Sequence, residues 1–303
     1  MKDGADAKSR DAEQALDQKK VVHKIVINNH FQLAFLPSGD YSFTVVTGLV
    51  DIGRGGWRTQ GRTYREYLTH MLKVLRLDVN LIVFIEPKGL EFVKMNRRGR
   101  ENRTVIYPTT IEKLSYYPLL PRIQEIMNTD QFKRDNDNYK NGNCEAFVPQ
   151  YNLLTNSKVC FVHQAIRENP FRSTYFIWID GGYGHGETEE TDIYPSDGIW
   201  SPKHLTGYPN QVTVTIREEL PTEEEKQRGL YKLDEAWIAG GLYGGGIQAM
   251  EIYYQLHKQV FLDYLNDGIV DDDQTTFLES FYRNRTNFRL LPGSWHSLMK
   301  PFS

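Results

Sequence analysis

The sequence predicts an α/β fold with a mainly parallel central sheet, and three observations carry that prediction. Short runs rich in β-branched and aromatic residues alternate with segments of helical period over most of the 303 residues. The run Leu81–Ile85 is apolar at every position, as a strand covered on both faces must be. Two strand-like runs, one ending at Thr47-Gly48 and one at Ile179-Asp180, lead directly into glycine-rich loops. Such loops at strand ends are where open α/β sheets bind ligands.

In chain order, residues 1–20 are charged and Ala-rich and read as a flexible tail, with a single catalytic-size domain expected over 21–303. Lys24–Ile27 and Tyr41–Thr47 read as a first strand pair. Tyr64, Tyr67, Leu68, Met71, Leu72 and Leu75 fall on one face at helical spacing. After the buried strand at 81–85 come a short helix at 91–97, a strand at 104–107 and a helical stretch at 111–127 interrupted by Pro118 and Pro121. Residues 129–148 are crowded with Asn, Asp and Lys and read as a surface excursion. A helix over about 150–168 ends at Asn169-Pro170, and Tyr175–Ile179 is a strand. Residues 187–209 read as a loop, 211–216 as a strand and 219–230 as a solvated charged helix. The segment GGLYGGG (240–246) reads as a glycine loop feeding a long amphipathic helix from Ile247 to Leu265, with a last strand at 288–291.

Composition removes several function classes. The formal net charge is −3, so no global basic field favours nucleic acid. Two cysteines, Cys144 and Cys160, cannot build a disulfide framework or a four-cysteine zinc site. No apolar run approaches the roughly 18 residues that span a bilayer. The polar start lacks the apolar stretch of a signal peptide, which makes a cytoplasmic location the expectation, or a secretory-pathway lumen if an anchor precedes this sequence. HExxH, GxSxG, Walker and kinase motifs are absent. The 18 Tyr, 15 Phe and 5 Trp supply core, and they also supply rings that stack on sugars and bases.

Three places can carry chemistry. The loop after the first strand, from Thr47 and Gly48 through Asp51 and Arg54, offers backbone amides and a guanidinium to a diphosphate. The segment FIWIDGGYGHG (176–186) delivers Asp180 to a strand end, with Gly181, Gly182, Gly184 and Gly186 opening space around it. A carboxylate placed there can share a divalent cation with diphosphate oxygens. An ordinary capped turn is the plain alternative, but four glycines in six residues exceed what a turn needs. In the C-terminal third, GGLYGGG and the following helix N-terminus could face an anion, and Asp271, Asp272, Asp273 and Gln274 form a cluster able to supply a general base. The plain alternative for that cluster is a solvated acidic helix start.

These segments, together with LIVFIEPKG, NPF at 169–171 and DDDQ…GSWHS, resemble the HtrL/YibB family and, more broadly, the GT-A group of nucleotide-sugar transferases. The resemblance covers about residues 40–300. It implies a GT-A-like nucleotide-diphospho-sugar transferase fold and a hexosyltransferase moving a sugar from a nucleoside-diphosphate donor, UDP being favoured, to a glycan or glycoconjugate acceptor. It implies Mn2+ or Mg2+ as cofactor. Carried over by residue, Thr47, Gly48, Asp51, Arg54, Lys158, Asp180, Gly181, Gly182, Gly240 and Gly241 would bind the nucleotide sugar. Asp272, Asp273 and Gln274 would be catalytic, and Asp180 and His296 would hold the metal. One departure stands out: where the group's Asp-x-Asp motif has its second acid, this chain has Gly182. Either metal binding is weak, or His296 and His185 compensate, or transfer is metal-independent, with cations such as Arg54, Lys158 or Lys300 stabilising the diphosphate. The rival readings are an inactive nucleotide-sugar-fold glycan-binding or scaffold protein and, behind it, a sugar nucleotidyltransferase.

Overall fold

The computed structural model of the protein describes residues 25–26, 42–57, 61–183, 198–295, 299 and 302. The expected tail at 1–20 lies outside the described residues, as do His185, His296 and Lys300.

Among the described residues, eight strands form one sheet in the order β1-β4-β3-β2-β5-β7-β6-β8. They are β1 (Ile25–Val26), β2 (Phe43–Leu49), β3 (Asn80–Ile85), β4 (Thr104–Pro108), β5 (Tyr175–Ile179), β6 (Val212–Ile216), β7 (Ile238–Gly246) and β8 (Phe288–Pro292). Strands β2 to β5 are mutually parallel, and β6 and β8 share their direction, while β1 and β7 run against them. The sheet is therefore mainly parallel, as the apolar run at β3 predicts; all six of its residues are buried. The strands of the expected first pair do not pair with each other. β2 takes the centre between β3 and β5, and β1 lies at the edge against β4.

Helices cover both faces. On one lies α1 (Tyr64–Leu75), whose start is fixed by a capping box in which Thr63 and Glu66 satisfy each other's backbone amides. Its Met71, Val74 and Leu75 pack with Val45, Val83 and Ile179. On the other lie α2 (Pro149–Asn156), α3 (Lys158–Glu168), α4 (Ile247–Asn266) and α5 (Asp273–Arg283). There Phe161, Tyr253 and Phe277 pack with Val46, Phe84 and Trp178. The helix expected over about 150–168 is thus two helices, broken at Ser157, whose hydroxyl turns back to the Leu153 carbonyl. Residues 129–148 form short helices that bury Phe132, Asn136 and Asn138. That segment is more than a surface excursion, because Asn136 caps one of its helices, accepting from the Tyr139 amide, and donates across to the Tyr231 carbonyl.

The segment GGLYGGG departs most from its expected form. It is a strand, not a loop: Ile238–Gly246 is buried at every residue. Its glycines let neighbouring backbones approach. A Cβ on Gly244 would lie 2.8 Å from the Phe176 carbonyl oxygen, and one on Gly245 would lie 2.8 Å from the Gln211 carbonyl oxygen. Because β7 is antiparallel to β5, with Gly246 opposite Tyr175 and Leu242 opposite Ile179, the N-terminus of α4 sits at the amino-terminal edge of β5. That helix end cannot face a ligand at the opposite, carboxyl edge.

Gly244→Ala is expected to force β5 and β7 apart and to destabilise the fold by about 1–3 kcal/mol. Urea unfolding followed by circular dichroism would report it as a lower midpoint with an unchanged slope.

Candidate functional site

The strand order reverses between β2 and β5: from β2 the chain proceeds outward through β3 and β4, and then returns to β2's other side as β5. A crevice opens outside the carboxyl ends of strands at such a switch point. Here it is a cavity of about 550 Å³, walled by residues from the ends of β2 and β5, the start of β7, α1, the α2–α3 junction and the first turn of α5.

At its base, the carboxylate of Asp180 follows β5, and its backbone amide donates to the Gly241 carbonyl at 2.9 Å. One carboxylate oxygen accepts from the indole Nε1 of Trp178 at 2.6 Å. Lys158, the first residue of α3, brings its ammonium to 2.9 Å from Asp273 Oδ2 and to 3.2 and 3.3 Å from the two Asp180 oxygens. The Gly240 carbonyl lies at 3.4 Å from the same nitrogen. One ammonium therefore bridges two carboxylates from separate elements. Asn156 fixes the relative placement by donating to the Asp271 carbonyl at 3.0 Å, which ties the helix before Lys158 to the turn before Asp273.

The acids here are not a solvated helix start. Asp271, Asp272 and Asp273 are all buried. Asp272 caps α5, accepting from the Gln274 amide at 2.9 Å and from the Gln274 side chain at 3.0 Å. Burial raises its carboxyl to about 6, with Glu145 adding to the rise. Burial likewise pushes Asp273 up to about 7, against the opposing pull of the Lys158 ammonium. The two carboxylates hold the Lys158 ammonium above its usual range despite its burial. With one cation facing two acids, uptake of a proton by the more buried acid balances the charge. Asp273 is that acid, its side chain being 6% exposed against 34% for Asp180.

The cavity lining is also cationic and aromatic. The Arg54 guanidinium lies 5.2, 5.6 and 5.7 Å from the ring centres of Trp57, Tyr67 and Tyr151, and Arg62 lines the same space. Asp51 takes the Gly53 amide at 2.9 Å and pairs with Lys88.

Of the residues expected from sequence, the cavity brings together Gly48, Asp51, Arg54, Lys158, Asp180, Gly181, Gly182, Gly240, Gly241, Asp273 and Gln274. Thr47 is buried within β2 and Asp272 serves its helix cap, so neither lines the cavity. Sequence reasoning passed over Arg62, Tyr64, Tyr67 and Tyr151, which line it too. Tyr64 and Tyr67 share the helical face of α1 that reads as core, and only the fold shows that the first turns of that face overhang the crevice.

The divalent ion implied by the resemblance finds little to hold it among the described residues. These contain no group of three or more His, Cys, Asp or Glu side chains placed for a metal. Asp180 spends its oxygens on Trp178 and Lys158, and the ammonium occupies the space between the two acids. His296, the expected second ligand, lies outside the described residues. Among the described residues, the acids at this site are thus engaged by Trp178 and Lys158 rather than placed around a divalent ion.

An Asp whose folded pKa is raised, here from 3.8 to about 7, stabilises fully only below its unfolded value and loses that contribution as pH rises through the folded one. Compared with Asp273→Asn, the chain is expected to lose stability from about pH 4 to about pH 7, by at most about 1.4 kcal/mol per pH unit, and to level off above. Urea unfolding of both proteins across that range measures the difference.

The profile described as "Bacterial protein of unknown function (HtrL_YibB)" matches residues 41–303. The chain is similar to Protein HtrL of Escherichia coli (strain K12), 28% identical over 275 residues that cover 86% of this chain and 92% of that protein. Among solved structures it is similar to mouse Xyloside xylosyltransferase 1 in its apo form (TM-score 0.42, 12% identity, 83% of this chain and 84% of that one). It is also similar to 4-diphosphocytidyl-2C-methyl-D-erythritolsynthase from Anaerococcus prevotii DSM 20548 (TM-score 0.39, 9% identity, 86% and 90% covered). The profile spans both strands that frame the crevice and every acid and base within it, and the chain belongs to the HtrL_YibB family.

Proposed function

We propose that the protein is a glycosyltransferase that moves a sugar from a nucleoside-diphosphate donor, UDP-linked by preference, to a hydroxyl of a glycan acceptor. The observation that carries this reading is the Lys158–Asp180–Asp273 cluster at the carboxyl edge of the sheet, which lines one cavity together with Arg54 and Arg62. Fixed cations in a partly enclosed site suit a diphosphate whose charge grows as it departs. Arg54, caged by three rings, offers a flat cationic surface beside aromatic faces on which a base or sugar can stack.

In the transfer, the bond from the sugar's anomeric carbon to the diphosphate oxygen breaks, and its electron pair leaves on the diphosphate. A bond forms from the acceptor oxygen to that carbon, and the acceptor proton passes to a carboxylate. Asp273 is the group suited to take it, since a base poised near 7 is half available at neutral pH. Asp180 orients the ammonium and the sugar. Gln274 lines the cavity, and its Oε1 is buried without a hydrogen-bond partner, an acceptor of the kind a sugar hydroxyl satisfies.

Incubation with UDP-, GDP- and CMP-linked sugars and a panel of glycan acceptors, read by release of the nucleotide, tests the reading. Turnover is expected with at least one donor. Asp273→Asn is expected to lower it about 10²–10⁴-fold with the circular dichroism unchanged. Failure to bind or turn over any nucleotide sugar would sink the proposal.

A further inference from the structure

We infer that Lys158 supplies, from within the chain, the positive charge that a divalent ion supplies in metal-assisted sugar transfer, so that nucleoside-diphosphate binding needs no metal. This rests on the nucleotide-sugar reading above and deepens it.

Four observations converge. The first is position: the Lys158 ammonium sits between Asp180 and Asp273, within 3.3 Å of three carboxylate oxygens. That is the place an ion bridging the two acids would take, and the two cannot share it. The second is commitment. Asp180 Oδ1 also accepts from Trp178, so neither of its oxygens is left bare. The third is steric. The position where the second acid of an Asp-x-Asp motif would stand is Gly182, and a Cβ there would lie 2.7 Å from Cε1 and 3.0 Å from Cδ1 of Tyr67. Tyr67 is itself held on α1 beside Arg54, so an acid at 182 requires that ring to move. The fourth is the neighbouring glycines. A Cβ on Gly240 would fall on Asp273 Oδ2, and one on Gly181 would lie 2.7 Å from the Gly48 carbonyl oxygen. The backbone around the ammonium is cut away to admit Asp273 and the strand crossing, and these glycines offer no side-chain ligand of their own.

An ammonium is a weaker point charge than a divalent ion, but Arg54 and Arg62 line the same cavity. Three fixed monovalent cations can therefore meet a diphosphate without a metal. Lys158 is tethered where it is needed, so its charge is preorganised and independent of metal supply.

The test is calorimetry of UDP with the 303-residue chain, in EDTA and in Mn2+, together with electron paramagnetic resonance of Mn2+ titrated with the protein alone. The expected result is a UDP affinity equal within about twofold in the two buffers, with no stoichiometric Mn2+ binding. Lys158→Met is expected to weaken UDP in EDTA at least tenfold, and Lys158→Arg to recover part of that loss. UDP binding that requires Mn2+, or Mn2+ binding abolished by Asp180→Asn, overturns the inference and leaves the nucleotide-sugar reading standing. Unchanged UDP affinity in folded Lys158→Met overturns it as well. If Lys158→Met does not fold, the EDTA comparison on the unaltered chain and the Lys158→Arg variant decide. No binding of UDP or any UDP-sugar in either buffer removes the reading on which the inference stands.

Discussion

The ammonium of Lys158, held between Asp180 and Asp273, is the contact on which the arrangement of this site depends. Three separate stretches of chain meet there: the first turn of α3, the end of β5 and the first turn of α5. Asp273, buried without the cation, would carry a large desolvation penalty, and the cation alone would carry another. Together they balance once a proton is shared, which is why burial lifts Asp273 without forcing Lys158 to discharge. The supporting contacts all serve this placement. Trp178 aims Asp180, Asn156 links the α2–α3 junction to the acidic turn, and Asp272 anchors the start of α5.

Room for that cluster comes from missing side chains. Gly240 leaves space for the Asp273 carboxylate, Gly182 for the Tyr67 ring, and Gly181 for the backbone of β2 at Gly48. The same device in β7, at Gly244 and Gly245, lets three strand backbones lie close where the sheet changes direction. Glycine thus serves two ends in one nine-residue strand: its first half shapes the cavity floor, and its second half packs the sheet at the opposite edge.

Charge in this protein is arranged locally. The chain as a whole is slightly acidic at −3, yet the cavity collects Arg54, Arg62 and Lys158 against Asp51, Asp180 and Asp273. Asp51 is already paired with Lys88, and Asp273 tends to protonate, so the wall facing a ligand is more cationic than the count of charges implies. Such a field is short-ranged, screened beyond roughly 8–10 Å at ordinary salt, and acts on a bound anion rather than on a distant one.

How much of this was legible depends on which contacts are local. The strands at 81–85 and 175–179, the helix at 64–75 and the mainly parallel sheet follow from periodicity and apolar runs, which are properties of neighbouring residues. The strand-end acid Asp180 and the absence of an acid at 182 are equally plain in the sequence, and so is the family. The nine-residue strand at 238–246 was not legible, because five glycines signal a loop unless a neighbouring backbone demands them, and that backbone belongs to residues some 30–70 positions away. Nor could spacing reveal that Lys158 reaches both Asp180 and Asp273, or that Tyr67 turns from core residue to the side chain that closes position 182. The sequence by itself determined the elements, the strand-end chemistry and the kinship. Only the tertiary structure decided which cation faces which acid, since electrostatic partnership is set by distance in space, and the groups concerned are 22 and 115 residues apart.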